Sequence, residues 1–221
     1  MALSPSIRTT LLSECVPAPA VWTTVGSNTI LSDRWIRVRA DTCVTSEGRE
    51  IAPYYVLEYP DWINVVAFNA DGKVLLVHEY KHGVGRVCLG LPGGVVDATD
   101  ASLESAARRE LIEETGHVAG TLVRTVTMTV NPAIQSNVGY GYVAFGCSAS
   151  QAPDRDQLES IEPILHDFDS LLAAYLRREI VLSGFDGASL WQAAIVLMKC
   201  KDSQLAAVAD ATRRVFSRLV D

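Results

Sequence analysis

Residues 109 to 116 read Arg-Glu-Leu-Ile-Glu-Glu-Thr-Gly, and they set three carboxylates, Glu110, Glu113 and Glu114, at helical spacing. A helix turns by about 100° per residue, so Glu110 and Glu114 fall within about 20° of the line set by Leu103. Ala107 and Leu111 lie on the same side, which makes that stripe the inward, apolar face. Carboxylates on an inward face are costly unless something positive compensates them. A hard divalent cation with oxygen ligands meets that need, and it makes an enzyme a better reading than a scaffold.

Upstream, Leu91-Pro92-Gly93-Gly94 breaks the chain before a helix predicted over residues 102–115. Asp100 or Ser102 can cap its start, and Gly116 is the expected stop. A Gly-Gly turn lets main-chain carbonyls approach a ligand closely. It can therefore offer an oxygen to the same cation as the glutamates.

Before the turn, Ile63 to Phe68 reads as a buried strand, Asn69-Ala70-Asp71-Gly72 as a turn and Val74 to Val77 as a second strand. After the helix, strands are expected at 121–130 and 138–146, and a helix at 168–178. Helical periodicity returns from Ser189 to Lys199 and from Gln204 to Leu219. The order β-β-α-β-β-α reads as a mixed α/β sandwich. Ahead of it, Trp35-Ile36-Arg37-Val38-Arg39 alternates as a half-exposed strand, Ser46-Glu47-Gly48-Arg49 is a hairpin turn and Tyr54 to Glu58 its return. Four segments result: a loosely held lead-in over 1–20, a small antiparallel sheet over 21–59, the main domain over 60–200 and a C-terminal helix over 201–221.

The 221 residues carry a formal charge of −7, which argues against nucleic acid or anionic membrane as partners. A bound metal can still invert the local field for an anionic small substrate. Cys15, Cys43, Cys88, Cys147 and Cys200 are scattered without a C-x-x-C pair, unlike a disulfide framework or a structural zinc site. No signal-peptide core or membrane-spanning stretch is present, and a cytoplasmic protein is expected.

Gly93-Gly94 followed by Ala106-Ala107-Arg108-Arg109-Glu110-Leu111-Ile112-Glu113-Glu114-Thr115-Gly116 resembles the Nudix box, the signature of hydrolases that cleave a nucleoside diphosphate linked to another group. The C-terminal half agrees position for position. The N-terminal half departs: the first glutamate of the box falls on Ala101, and six residues rather than five separate Gly94 from it. Asp97 or Asp100 can supply that carboxylate, and His117 replaces an aliphatic residue. Asp61 to Val66, Val77 to Gly83 and Asn131 to Asn137 are similar to the ADP-ribose pyrophosphatase subgroup, and the similarity covers roughly residues 22 to 198.

The resemblance implies a Nudix-type α/β/α sandwich with a mixed sheet, preceded by a small antiparallel sheet that exchanges contacts across a homodimer. It implies Mg²⁺, with Mn²⁺ as a substitute, held by Glu110, Glu114, a shared or water-mediated Glu113 and the carbonyl of Gly93. Arg109 orients a glutamate. Glu159 aligns with the catalytic base, with Glu162 as the alternative. Trp35 and Tyr54 align with aromatics that sandwich adenine, and Lys81 with a phosphate-contacting arginine. Gly90 stands where ADP-ribose enzymes commonly carry glutamate, and Gly93 replaces a frequent alanine. The implied reaction converts ADP-ribose to AMP and ribose 5-phosphate. The alternatives are another diphosphate (a dinucleotide, another nucleotide sugar, a coenzyme A derivative) or ligand binding without turnover. The last helix, with Leu205, Val208, Val215, Phe216 and Leu219 at helical intervals, either caps the core or extends a dimer interface.

Overall fold

The computed structural model describes residues 20–152, 161–200 and 205–220. The chain forms two compact units, with the break between Glu58 and Tyr59. In the first, strands β1 (Thr23–Ser32), β2 (Arg37–Val44) and β3 (Glu50–Glu58) make an antiparallel sheet in the order β1-β2-β3. Its polar side chains are cross-linked: Arg39 pairs with Asp41 at 2.9 Å and with Glu58 at 2.5 Å, and the Ser27 hydroxyl donates to Asp41 at 2.6 Å. Every residue of β1 is exposed, including Val25, Ile30 and Leu31.

The second unit is an α/β/α sandwich around a seven-stranded mixed sheet. Strands β4 (Trp62–Asn69), β5 (Lys73–Lys81) and β6 (Arg86–Gly90) precede helix α1 (Leu103–Thr115). After it come β7 (His117–Val118), β8 (Thr121–Thr129), β9 (Val138–Ala149), β10 (Ile161–Asp167), α2 (Phe168–Leu176), α3 (Gly184–Lys199) and α4 (Ala206–Val220). The β4–β9 pairing is parallel, and the other pairings are antiparallel. Successive strand side chains point to opposite faces, and β4 divides its residues accordingly. Ile63, Val65 and Ala67 pack with Ala106, Ala107 and Leu111 of α1. Val66 and Phe68 pack with Leu171 and Leu172 of α2 and Leu190, Ala194 and Leu197 of α3. Burying each such large side chain stabilises the fold by roughly 1.5–3 kcal/mol.

One topological feature places the site. β5 pairs with β4 only around Leu75 and Val74, then leaves it and pairs with β6 from Val77 to Lys81. The chain leaving β6 crosses the fork so formed. The amides of Val65 and Ile63 donate to the carbonyls of Pro92 and Gly94, both at 2.9 Å. The Gly-Gly turn is therefore bound to the very part of β4 that β5 has left.

The predicted central helix is found with its caps. Ser102 accepts from the Ser105 amide at 3.0 Å while Ser105 Oγ accepts from the Ser102 amide at 2.8 Å, a reciprocal capping box. Gly116 ends the helix at φ 70°, a left-handed conformation suited to glycine. β2 begins at Arg37 rather than Trp35, because Asp33 Oδ1 accepts from the amides of Trp35 and Ile36 and turns the chain there. The strands β6, β7 and β10 stand outside the sequence expectation. β10 carries Pro163, which argues against a strand, but it lies at the end of the sheet order, where proline is tolerated. For α4 the core role is the one found, since Leu205, Val208, Val215 and Phe216 join the cluster under α2 and α3.

Candidate active site

Helix α1 holds Glu110 and Glu114 on its buried face, at 8% and 6% exposure. The amide of Gly93 donates to Glu114 Oε2 at 2.8 Å. Both glycines are required here by close approach. A Cβ on Gly94 would stand 2.6 Å from Glu110 Oε1, and one on Gly93 would stand 2.3 Å from the Ile63 carbonyl oxygen. The sequence thus brings a bare main-chain segment directly over two inward carboxylates.

Glu114 is incompletely compensated. Burial pushes its carboxyl up to about 8, the nearby charges of Glu110 and Glu79 push the same way, and the Gly93 hydrogen bond opposes them. Glu79 lies on β5 and enters the site as a carboxylate that the sequence reading passed over. Its partner Lys81 approaches it at 2.5 Å.

Arg109 organises the acids around the helix start. Its Nη1 donates to Glu110 Oε1 at 2.8 Å and to Glu113 Oε2 at 2.9 Å. Its Nε and Nη2 grip both oxygens of Asp100, at 3.1 and 2.8 Å, and Nη2 also reaches the Val95 carbonyl. The Arg109 fork holds the Asp100 carboxyl below the usual carboxylate range. Asp97 is also held low, by the amide and hydroxyl of Thr99. Neither aspartate joins the inward glutamates. Among the described residues, no three histidine, cysteine or acidic side chains converge as a closed metal set.

Beside the carboxylates opens a cleft of about 610 Å³, and Gly93, Gly94, Glu79, Lys81, Arg86 and Asp186 contribute to its lining. Of the residues singled out from sequence, Gly93, Arg109, Glu110, Glu113 and Glu114 therefore meet at one place, with Lys81 on the adjoining cleft. Glu159 lies outside the described residues. Glu162 is an exposed residue of β10, opposite His78 in the pairing. Trp35 and Tyr54 belong to the first unit. Trp35 sits in the turn before β2 with the Arg34 guanidinium 4.2 Å from its ring, and Tyr54 of β3 meets Trp22 edge-on at 6.1 Å.

The NUDIX domain pattern matches residues 59–181, and the nucleoside diphosphate sugar hydrolase N-terminal domain matches residues 22–57. An ADP-ribose pyrophosphatase of Mycobacterium tuberculosis is 28% identical over 137 residues, which are 62% of this chain and 66% of that protein. A nudix hydrolase of Caenorhabditis elegans is 31% identical over 119 residues, 48% of this chain and 52% of that one. The chain thus spans between about half and two thirds of these relatives. A crystal structure described as an ADP compounds hydrolase superposes with a TM-score of 0.70 at 20% identity, covering 83% of this chain and 98% of the other, and so shares the fold. With the box helix, its glycine turn and the domain match all falling in the second unit, the chain belongs to the Nudix family.

Proposed function

We propose that the chain hydrolyses the diphosphate linkage of a nucleoside diphosphate sugar in a metal-dependent reaction, with ADP-ribose as substrate and AMP and ribose 5-phosphate as products. The observation that carries this reading is the buried pair Glu110 and Glu114 beneath Gly93 and Gly94, with Glu114 pushed up by burial and like charge. The donors are all oxygen, which fits Mg²⁺ or Mn²⁺. Glu110, Glu114 and the Gly93 carbonyl would hold the ion, with Glu113 beside them. The carbonyls of Pro92 and Gly94 are taken by β4. When bound, the ion neutralises phosphate charge and acidifies water.

The chain's own groups do the remaining work. Arg109 fixes the directions of Glu110 and Glu113 through charge-assisted bonds. Lys81, on the cleft wall, offers a point charge to the phosphates once it leaves Glu79. Glu159 takes the proton of the attacking water, with Glu162 as the alternative. Trp35 and Tyr54 hold adenine in a homodimer formed through the N-terminal sheet, whose first strand is exposed throughout. The protein works in the cytoplasm, where Cys43, Cys88, Cys147 and Cys200 stay as free thiols. No helix among the described residues is long and apolar enough to cross a membrane.

Ala101, in place of the first box glutamate, favours one other reading: a Nudix-fold module that binds such a ligand without turnover. A panel of nucleoside diphosphate derivatives, incubated with Mg²⁺ and scored for phosphate-containing products, separates the two. ADP-ribose is expected to give AMP and ribose 5-phosphate, and chelation of the metal to stop it. Tight binding of a panel member with no product from any would establish the binding module instead.

A further inference from the structure

The cleft has a carboxylate that the reaction above does not use. Asp186 lies in the first turn of α3, is enclosed by protein on most sides, and keeps part of its surface open to the cleft. Asn64 Nδ2 donates to its Oδ1 at 2.9 Å, and the buried Ser189 hydroxyl donates to Asn64 Oδ1 at 2.7 Å. The Ser183 hydroxyl accepts from the Asp186 amide at 3.0 Å and fixes the start of α3 on which the carboxylate stands. The carboxylate is thus oriented by β4 through Asn64, itself held by Ser189, on a capped first turn of α3. Its Oδ2 lies beside Gly90, where a Cβ would stand only 3.4 Å away. A larger residue at 90 would close that side of the cleft.

An oriented carboxylate in a half-dry wall repels phosphate. What sits against it must be an uncharged part of the substrate that donates hydrogen bonds. Its place in the fold says which part. Asn64 stands opposite Gly93 where β4 meets the glycine turn, so close that a Cβ on Gly93 would lie 2.7 Å from Asn64 Cα, and Gly93 is bonded to Glu114. Asp186 is therefore next to the diphosphate end of the cleft, within reach of the group esterified directly to phosphate.

We infer that Asp186 accepts a hydrogen bond from a hydroxyl of the sugar carried on the diphosphate, and so determines the preference for a sugar over a simple phosphate ester. This rests on the proposed nucleoside diphosphate sugar reading. A carboxylate bound to Asn64 can also serve the packing of α3 on β4, and the two roles differ in what they discriminate. A structural residue affects all ligands of the cleft alike.

The test measures calorimetric affinity of ADP-ribose and of the methyl ester of ADP, which lacks the second sugar, for the wild type and for Asp186→Asn, without added metal. Turnover of both compounds with Mg²⁺ is then followed. In D186N the affinity for ADP-ribose is expected to fall about tenfold more than that for the methyl ester, since a hydrogen bond to a charged group is lost. Asp186→Ser, which keeps a short polar group in the first turn of α3, is expected to show the same loss of preference. Equal effects on both ligands in both variants, or no binding of either ligand by the wild type, would overturn the assignment. Preserved binding discrimination without any turnover would instead strike the hydrolase reading and leave Asp186 as a sugar reader.

Discussion

Asp100 and Glu114 stand at opposite ends of the same helix, and both are shielded from solvent, yet their chemistry runs in opposite directions. Asp100, with its side chain 5% exposed, has both oxygens gripped by the Arg109 guanidinium and titrates below the usual carboxylate range. Glu114 has the Gly93 amide and a neighbourhood of like charges, and its carboxyl is pushed up to about 8. Burial alone therefore does not set the charge of a carboxylate; the partner does. The chain satisfies Asp100 from its own resources, whereas Glu114 is the acid that the proposed ion would satisfy.

The sharpest way to break the comparison is Glu114→Gln. The amide keeps the shape and the acceptor for Gly93 but loses the charge that an ion needs. Turnover with Mg²⁺ should fall about a hundredfold or more, in line with the several kcal/mol that a bound metal supplies. Metal-free thermal stability should not fall. Turnover at the wild-type level would remove Glu114 from the site.

The same residue sets a pH dependence whose sign is fixed. Its folded value of about 8 lies above the ordinary 4.5. Between those limits the folded chain keeps a proton that the unfolded chain has released. Metal-free stability should therefore decline as pH climbs from about 4.5 to 8 and level off above, by a few kcal/mol at most. Denaturant unfolding of the wild type minus that of E114Q isolates this contribution, and a difference that rises with pH would refute the assignment.

Asp100→Asn tests the other member of the pair. Half of the Arg109 fork loses its charged partner, so stability should drop by about 1–3 kcal/mol. Arg109 should then hold Glu110 and Glu113 less firmly. Turnover should fall about tenfold, an indirect loss smaller than that of E114Q. A variant as stable as the wild type would mean that the Asp100–Arg109 pair contributes nothing to holding the helix start.

How much of this was legible in the sequence follows from how far apart the partners lie along it. The inward placement of Glu110 and Glu114, the Ser102 cap and the Gly116 stop are local, and periodicity and capping chemistry specify them. The hairpin of β2 and β3 was legible too, except that Trp35 falls in the turn made by Asp33, while β1 was not singled out. Nothing local foretells that Asp186 would meet Asn64 or that Glu79 would face Glu114, because the fork between β4 and β5 and the packing of α3 create those meetings. The departure at Gly90 was visible as a missing side chain. Only the fold shows that a carboxylate from α3 lies beside it.

Asp97 gives the smallest effect and the cleanest control. Like Asp100 it precedes the helix, where the box's first glutamate is replaced by Ala101, and like Asp100 it was a candidate to replace that acid. Its Oδ1 is instead engaged by the amide and hydroxyl of Thr99, both local, in a turn open to solvent. An acid whose hydrogen bonds close within two residues, with water free to replace it, holds nothing else in place. Asp97→Ala should change turnover with Mg²⁺ by less than about twofold and leave thermal unfolding near the wild-type value. A loss of turnover approaching that of E114Q would show that Asp97 swings into the site when metal and substrate arrive. The division between satisfied and waiting acids would then run through the loop rather than along the helix.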